Sequence, residues 1–560
     1  MAYNSTGSGG VGTAMAKSRA MAKRRLGWLG PVLAAVLWSG GCGGRETAVE
    51  RANDENRLIL GNGAEPADLD PQMVTGTPEA RLMQALFEGL VRYHPATLDP
   101  LPGVAERWEL ADDGVTYTFY LRRDAMWSDG QPVTARDFYE SYRRLLSPEL
   151  GSENVEQLYY LAGGEAFHRG ETDDFSTVGC RVIDDHTLEL RAVRPTAFFV
   201  RLLSSRNWFP VPVHVLERFD ALRRGGTAWT RPENFVGNGP FRLAAWQRDQ
   251  FIDLERSPTY WGRDTVSLDG VRFVPIENHG TEEAAYRAGQ LHRTTTVPVQ
   301  KIETYRRESP DELHIVPYSG VYYYCFNTTR APFDDARVRR AFALALDRMA
   351  ITRDVSRGGE QPAARFMPDG VAGYESTVAG ARFDANEARR LLAAAGFPGG
   401  AGFPTVTLLY NTADNHRVIA EAAQQMWKRE LGVDVRLENQ EWKVYLSNMH
   451  LGNFDLCRAG YIVAPDDPTR FLEAFTTGHG FNNAKWSDPR YDAMLKASLV
   501  ETDPAKRGEM FTAMEERLDE AMPVSPIYHY TNLYLLRPEV KNWADNLLDN
   551  FPLREVVLDP

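Results

Sequence analysis

The alternation of apolar and polar positions divides the chain into short strands and helices separated by turns. Asp112-Asp113-Gly114 is a turn signal, and TYTFYL at 116–121 is an aromatic and β-branched run suited to a strand. Trp127-Ser128-Asp129-Gly130 makes a second turn, and Thr134 with Asp137 three residues on opens a helix as a capping box. Arg57-Leu58-Ile59-Leu60 reads as the first strand of the folded part. Asp334 or Asp335 caps a helix whose Val338, Phe342, Ala345 and Leu346 share one face. Asp384 and Glu387 make another capping box, with Gly396 and Pro398 as its stop. Residues 417–431 read as helical until Gly432, after which Val433, Val435 and Leu437 alternate as a half-buried strand. Residues 504–522 form one more long helix. Strands alternating with helices predict an α/β architecture. Residues 43–56 have no hydrophobic period and predict a polar tether.

At 560 residues the chain is too long for one ordinary core. Hydrophobic content of 43% and charged content of 25% suit a soluble globular protein, with one exception at the start. There Lys17, Arg19, Lys23, Arg24 and Arg25 precede an apolar run at 26–38 and then Ser39-Gly40-Gly41-Cys42. Basic, apolar and small residues in that order predict a secretory signal over 1–41. Removing it leaves 58 of the 63 basic residues against 76 acidic ones, a formal charge of −18. That excess repels nucleic acid, so DNA and RNA are not expected partners. Cys42, Cys180, Cys325 and Cys457 are too few for a disulfide framework, although a Cys325–Cys457 bridge is conceivable. No cysteine–histidine cluster points to zinc, and no GxSxG elbow or HExxH helix points to hydrolysis.

Several runs carry a resemblance. They are VTYTFYLRRDAMWSDGQPVTARDF (115–138), GNGPFRL (237–243), LERSPTYW (254–261) and YYYCFNTTRAPFDDARVRRAFALALDR (322–348), then LLYNTADNH (408–416), LENQEWKVYL (437–446) and FDLCRAGY (454–461). Together they resemble the extracytoplasmic solute-binding proteins of peptide ABC importers, the oligopeptide-binding branch of bacterial solute-binding family 5. The resemblance implies a two-lobed periplasmic-binding-protein fold (class II type) with an extra domain inserted in the first lobe. It places lobe one at 55–87, 213–319 and 531–560, the insertion at 88–212 and lobe two at 320–530. Cys42 after two glycines resembles the acylated cysteine of bacterial lipoproteins, although Ser39 stands where that pattern prefers leucine. The implied partners are a peptide ligand, an ABC permease and its ATPase subunits, and a membrane reached through the lipid. The protein is expected to be a monomer without a cofactor, and not an enzyme.

Family members hold an extended peptide by its main chain, with a strand from each lobe. The matching positions are Val74, Thr75, Gly76 and Thr77 in lobe one and Gly460, Tyr461 and Ile462 in lobe two. Arg458 matches an arginine that meets the peptide near its C-terminal carboxylate, and an internal ion pair is the structural alternative. His416 and His450 match cleft positions. Trp442 and Tyr461 are candidates to line pockets, whereas Tyr117 and Trp127 read as core filling. Several family anchors are replaced. Ala464 stands where relatives carry the aspartate that receives the peptide amine, and Asp466 or Asp467 is the nearest substitute. Ser356 and Met449 replace a lysine and an arginine, and the paired cysteines of some relatives fall at Gly320 and Ile462. These departures leave murein peptides, modified peptides or another small polar ligand as alternatives, beside a surface sensor or hydrolase built on the same scaffold.

Overall fold

The computed structural model describes residues 46–559 apart from Thr75, Pro465 and Asp466, and only the main chain at Asp414, Trp442 and Lys443. The signal and Cys42 lie outside the described residues, as do Thr75 and Asp466.

Three sheets organise the chain. In the first, Arg57–Gly61 pairs in parallel with Gly270–Val274, which continues antiparallel to Phe251–Arg256 and then Phe241–Gln247. The second is antiparallel, in the order Ala105–Leu110, Thr116–Leu121, Thr187–Arg191, Cys180–Asp184. Its strand Thr116–Leu121 buries every second residue, as the alternation of TYTFYL predicts. Leu58 and Leu60 of the first sheet share one buried cluster with Phe119, Trp127 and Phe138 of the second segment, so the two are welded by a continuous core. Thr134 and Asp137 cap the helix Ala135–Leu146 as expected.

The third sheet is mixed and runs Gln361–Pro362, Val524–Leu535, Leu313–Phe326, Leu456–Ile462, Val406–Asn411, Val435–Gln440. Both of its faces are covered. Tyr322, Tyr324 and Phe326 enter one core with Phe342 and Trp427, while Val321, Tyr323 and Cys325 enter another with Phe471 and Phe475. The period of two in YYYCF is what feeds both layers. Asp335 accepts from the Arg337 N–H and starts Ala336–Leu344, and Asp384 caps Ala385–Ala394. The helix expected from residue 417 begins earlier and spans Asp414–Leu431, ending at Gly432 in the left-handed region. The last long helix is Pro504–Ala521.

Leu313–Phe326 and Val524–Leu535 are long enough to belong to two cores. Leu313 and Ile315 pack with Ile59, Leu533 and Leu535, whereas their other ends enter the layers around Tyr322 and Tyr323. Between Pro317, which faces Thr531, and Val321, which faces His529, the register shifts.

The tether expected over 43–56 is corrected from residue 47 on. Thr47 and Glu50 form a capping box and start a helix, Ala48–Asp54. Its Val49 and Ala52 are buried, its Val49 N–H donates to the Gly289 carbonyl at 2.9 Å, and Asn53 Oδ1 lies 2.9 Å from His292 Nε2. Two apolar residues on one short turn are enough to dock a helix but too few to show a period.

Candidate functional site

The strand Leu456–Ile462 is flanked on one side by Val321 and its neighbours along its whole length. On its other side Val406–Asn411 pairs only as far as Leu409 opposite Cys457. The remaining residues therefore have an open edge. The Val463 N–H donates to the Ser319 carbonyl at 3.3 Å, so main-chain groups at 461 and 459 point the same way by alternation. Those of Gly460 and Ile462 point to the open side. Gly460 is exposed, and Ile462 is 58% exposed although apolar. The Arg458 carbonyl on this side is taken by the Tyr445 hydroxyl.

Arg458 sits where this edge meets the core. Its Nη2 donates to the Tyr530 hydroxyl at 3.0 Å and its Nη1 to Asn411 Oδ1 at 3.3 Å. The guanidinium lies over the Tyr322 ring, 4.5 Å from the centroid, and its Nε is buried without an acceptor. All of these partners are neutral. A ring face contributes on the order of 2 kcal/mol to a desolvated cation, less than an unpaired buried charge costs. The group is therefore under-compensated and suited to an anion. Tyr530 is tied to the same edge: a side chain at Gly460 would put its Cβ 2.8 Å from the Tyr530 hydroxyl and 3.4 Å from Arg458 Nη2.

His416 joins this group. Its ring packs against Tyr322 at 5.6 Å, and its Nδ1 is buried with no hydrogen-bond partner. Burial, then the Arg458 charge, pushes its pKa down to about 4, so the ring is neutral at neutral pH. Tyr461 faces the opposite layer, where it packs against Phe366 and Phe471 and donates to the Arg470 carbonyl at 2.8 Å. Its main chain belongs to the site strand and its side chain to the core. His450 is exposed on the last turn of Trp442–Leu451, beside Gly452, and no bond or ring contact among the described residues joins it to Arg458 or His416.

The segment expected to supply a strand from the other lobe is corrected. Val74 is a buried coil residue whose carbonyl accepts from Asn154 at 3.0 Å and Arg206 at 3.3 Å. Gly76 is the N-cap, and Thr77 the first residue, of the helix Thr77–Leu86, with a proline in its first turn. Pro78-Glu79 was a legible helix start. Thr77 and Ala464 nonetheless border one cavity of about 170 Å³. Asp467 is corrected as a substitute anchor: it is buried and bound to Arg507 through two hydrogen bonds of 2.8 and 2.9 Å. Cys325 and Cys457 stand opposite each other but are free thiols. Gly320 and Ile462 also face each other. Sequence reasoning did not reach Tyr530, Asn411, Tyr322 or Arg206, which lie far from the site strand along the chain.

The sequence profile of bacterial extracellular solute-binding proteins, family 5 Middle, matches residues 99–483. The chain belongs to this family. It is 37% identical over 516 residues to the periplasmic oligopeptide-binding protein OppA of Escherichia coli K12, covering 90% of this chain and 93% of the relative. Among solved structures, the unliganded open form of the murein tripeptide binding protein MppA superposes with a TM-score of 0.82 at 34% identity, covering 90% of this chain and 98% of the other. A second structure of MppA, from Escherichia coli, has the same identity and coverage but a TM-score of 0.72. At equal identity and coverage, this family 5 chain superposes better on the unliganded open form. Its fold is the two-lobed one of OppA and MppA. No described helix is long and apolar enough to cross a membrane, and the relatives are periplasmic binding proteins by name.

Proposed function

We propose that this chain captures short oligopeptides outside the cytoplasm and delivers them to an ABC permease driven by cytoplasmic ATPase subunits, without chemical change to the ligand. The observation that carries this reading is the open edge at Gly460 and Ile462, leading to Arg458, a half-buried cation with only neutral partners. A peptide main chain completes the edge and its C-terminal carboxylate completes Arg458, whatever the side chains are. Six residues at about 3.3 Å each separate Arg458 from Ala464, which accommodates a peptide of roughly six residues at most. His416 holds the Tyr322 ring under the guanidinium, and Gly76 and Thr77 form the facing wall as a helix start. His450 has no part in this reading.

The proposed lobes are 55–87, 213–319 and 531–560 for the first, with 88–212 inserted, and 320–530 for the second. They close about the long strands that enter both cores. The chain is proposed to act as a monomer without a cofactor, tethered by acylated Cys42. The names of OppA and MppA support peptides as the ligand class.

Calorimetry with short peptides should give saturable binding and unchanged peptide after long incubation. Methylating central backbone amides should weaken binding more than exchanging the side chains beside them. The reverse ranking would remove edge addition as the mechanism, and cleavage products would remove the transport reading.

A further inference from the structure

The cavity beside Ala464 is walled on its other side by Thr77, Arg81 and Arg206. Asp549 also borders it, but both of its oxygens are occupied. Its Oδ1 accepts from Arg293 at 2.7 Å and its Oδ2 from Arg81 at 3.1 Å, so one carboxylate serves two guanidiniums. Arg81 has only 10% of its side chain exposed, and its Nε is buried without an acceptor. Arg206 belongs to no ion pair among the described residues. Its Nη2 donates to the Val74 carbonyl at 3.3 Å, and its Nε is likewise buried and unmatched. Glu79 acts on Arg206 through space, but its Oε1 is engaged by the Ala67 N–H at 2.7 Å. Arg81 and Arg293 share Asp549, with Glu282 also acting on Arg293 through space, whereas Arg206 borders the cavity with no carboxylate at contact distance among the described residues.

Arg458 takes the C-terminal carboxylate in the reading above, on which this inference rests, so the ligand's amino end lies toward Ala464. A free ammonium there would approach Arg81 and Arg206 with no carboxylate at 464, a like-charge meeting that disfavours it. We propose that this cavity receives an anion at the ligand's amino end, with Arg206 and Arg81 as its counter-charges. The ligand class is peptides whose first residue or N-acyl group carries a carboxylate.

One leucine-rich tetrapeptide in free-amine, N-acetyl and N-succinyl forms, titrated calorimetrically into the full chain, tests this. The succinyl form should bind about tenfold or more tighter than the free amine, with the acetyl form between them. Arg206→Gln should bring the succinyl form to within about twofold of the acetyl form, with an unchanged melting curve showing that the fold persists. Ala464→Asp should reverse the order in favour of the free amine. A free amine that binds at least as tightly as the succinyl form overturns the proposal and leaves peptide binding standing, as does a succinyl preference that Arg206→Gln does not reduce. Failure of all three forms to bind removes the peptide reading itself.

Discussion

Asp467 and Arg507 are joined by two parallel hydrogen bonds of 2.8 and 2.9 Å in the protein interior. Asp467 also holds the N–H and hydroxyl of Thr469. A carboxylate so engaged is a structural part and not a ligand contact. Removing one partner of a buried pair strands the other charge, at a cost of about 3–5 kcal/mol. Asp467→Asn should therefore lower the urea midpoint by that equivalent while leaving the relative affinities of acetylated and free peptides unchanged. A shift in those relative affinities would return Asp467 to the binding site.

Gly460 is exposed, yet its Cβ position is closed by the Tyr530 hydroxyl at 2.8 Å. Gly460→Ala should displace Tyr530 from Arg458 and weaken peptide binding by about tenfold, with little change in melting temperature. Equal affinity for peptide would mean that the Tyr530–Arg458 bond plays no part in holding the ligand.

Gly320 and Ile462 face each other one step from the Ser319–Val463 hydrogen bond, at a position where the strands exchange none. Such pairs bring Cα atoms to about 4.5 Å, within the range a disulfide spans. The double variant Gly320→Cys, Ile462→Cys should gain one disulfide under mild oxidation, seen as a cross-linked peptide by mass spectrometry. If only the monomeric dithiol is recovered, the register of these strands is wrong.

His292 is buried as a neutral ring. Its Nδ1 accepts from the Ile59 N–H at 2.9 Å, and its Nε2 faces Asn53 at the same distance. Burial, then the charge of Arg537, lowers its pKa to about 4 from an ordinary 6.5. The unfolded chain takes the proton first as pH falls, so this stability is complete above pH 6.5 and is lost as pH drops from 6.5 toward 4. Urea midpoints should fall across that window, and His292→Gln should flatten part of the fall. An identical slope in the variant would assign the acid sensitivity to other groups.

Acylation of Cys42 predicts palmitate labelling that Cys42→Ser abolishes, with the variant released into the soluble extracytoplasmic fraction. An unlabelled, already soluble wild type would show that Ser39 has broken the signal.

Local chemistry made much of the fold legible. Thr134, Asp335 and Asp384 announced their helices because a cap is decided within three residues. The helix at Ala48–Asp54 escaped because its evidence is tertiary, the groove beside Gly289 and His292. Gly76 and Thr77 lie at a helix start that Pro78 signals, where the family resemblance implies a strand. In the site, the Arg458 and Gly460 positions were legible on one strand. Tyr530, Tyr322 and Arg206 were not, because they come from distant segments, the two tyrosines on strands of the folded sheet and Arg206 on a turn across the cavity from Ala464.

The missing rungs between Pro317 and Val321 have a mechanical consequence. Leu313–Phe326 and Val524–Leu535 are stiff where they are laddered into a core and more compliant at that level, since their second register shift, between Tyr322 and Tyr323, lies among packed side chains. Ser319 and Gly320 occupy this compliant level and hold the end of the site strand on the side away from its open edge, Ser319 by donating to the Val463 carbonyl at 2.6 Å. A ligand added to the open edge therefore loads the joint through the site strand, and amide exchange at 318–320 should slow on binding more than at any other part of these two strands.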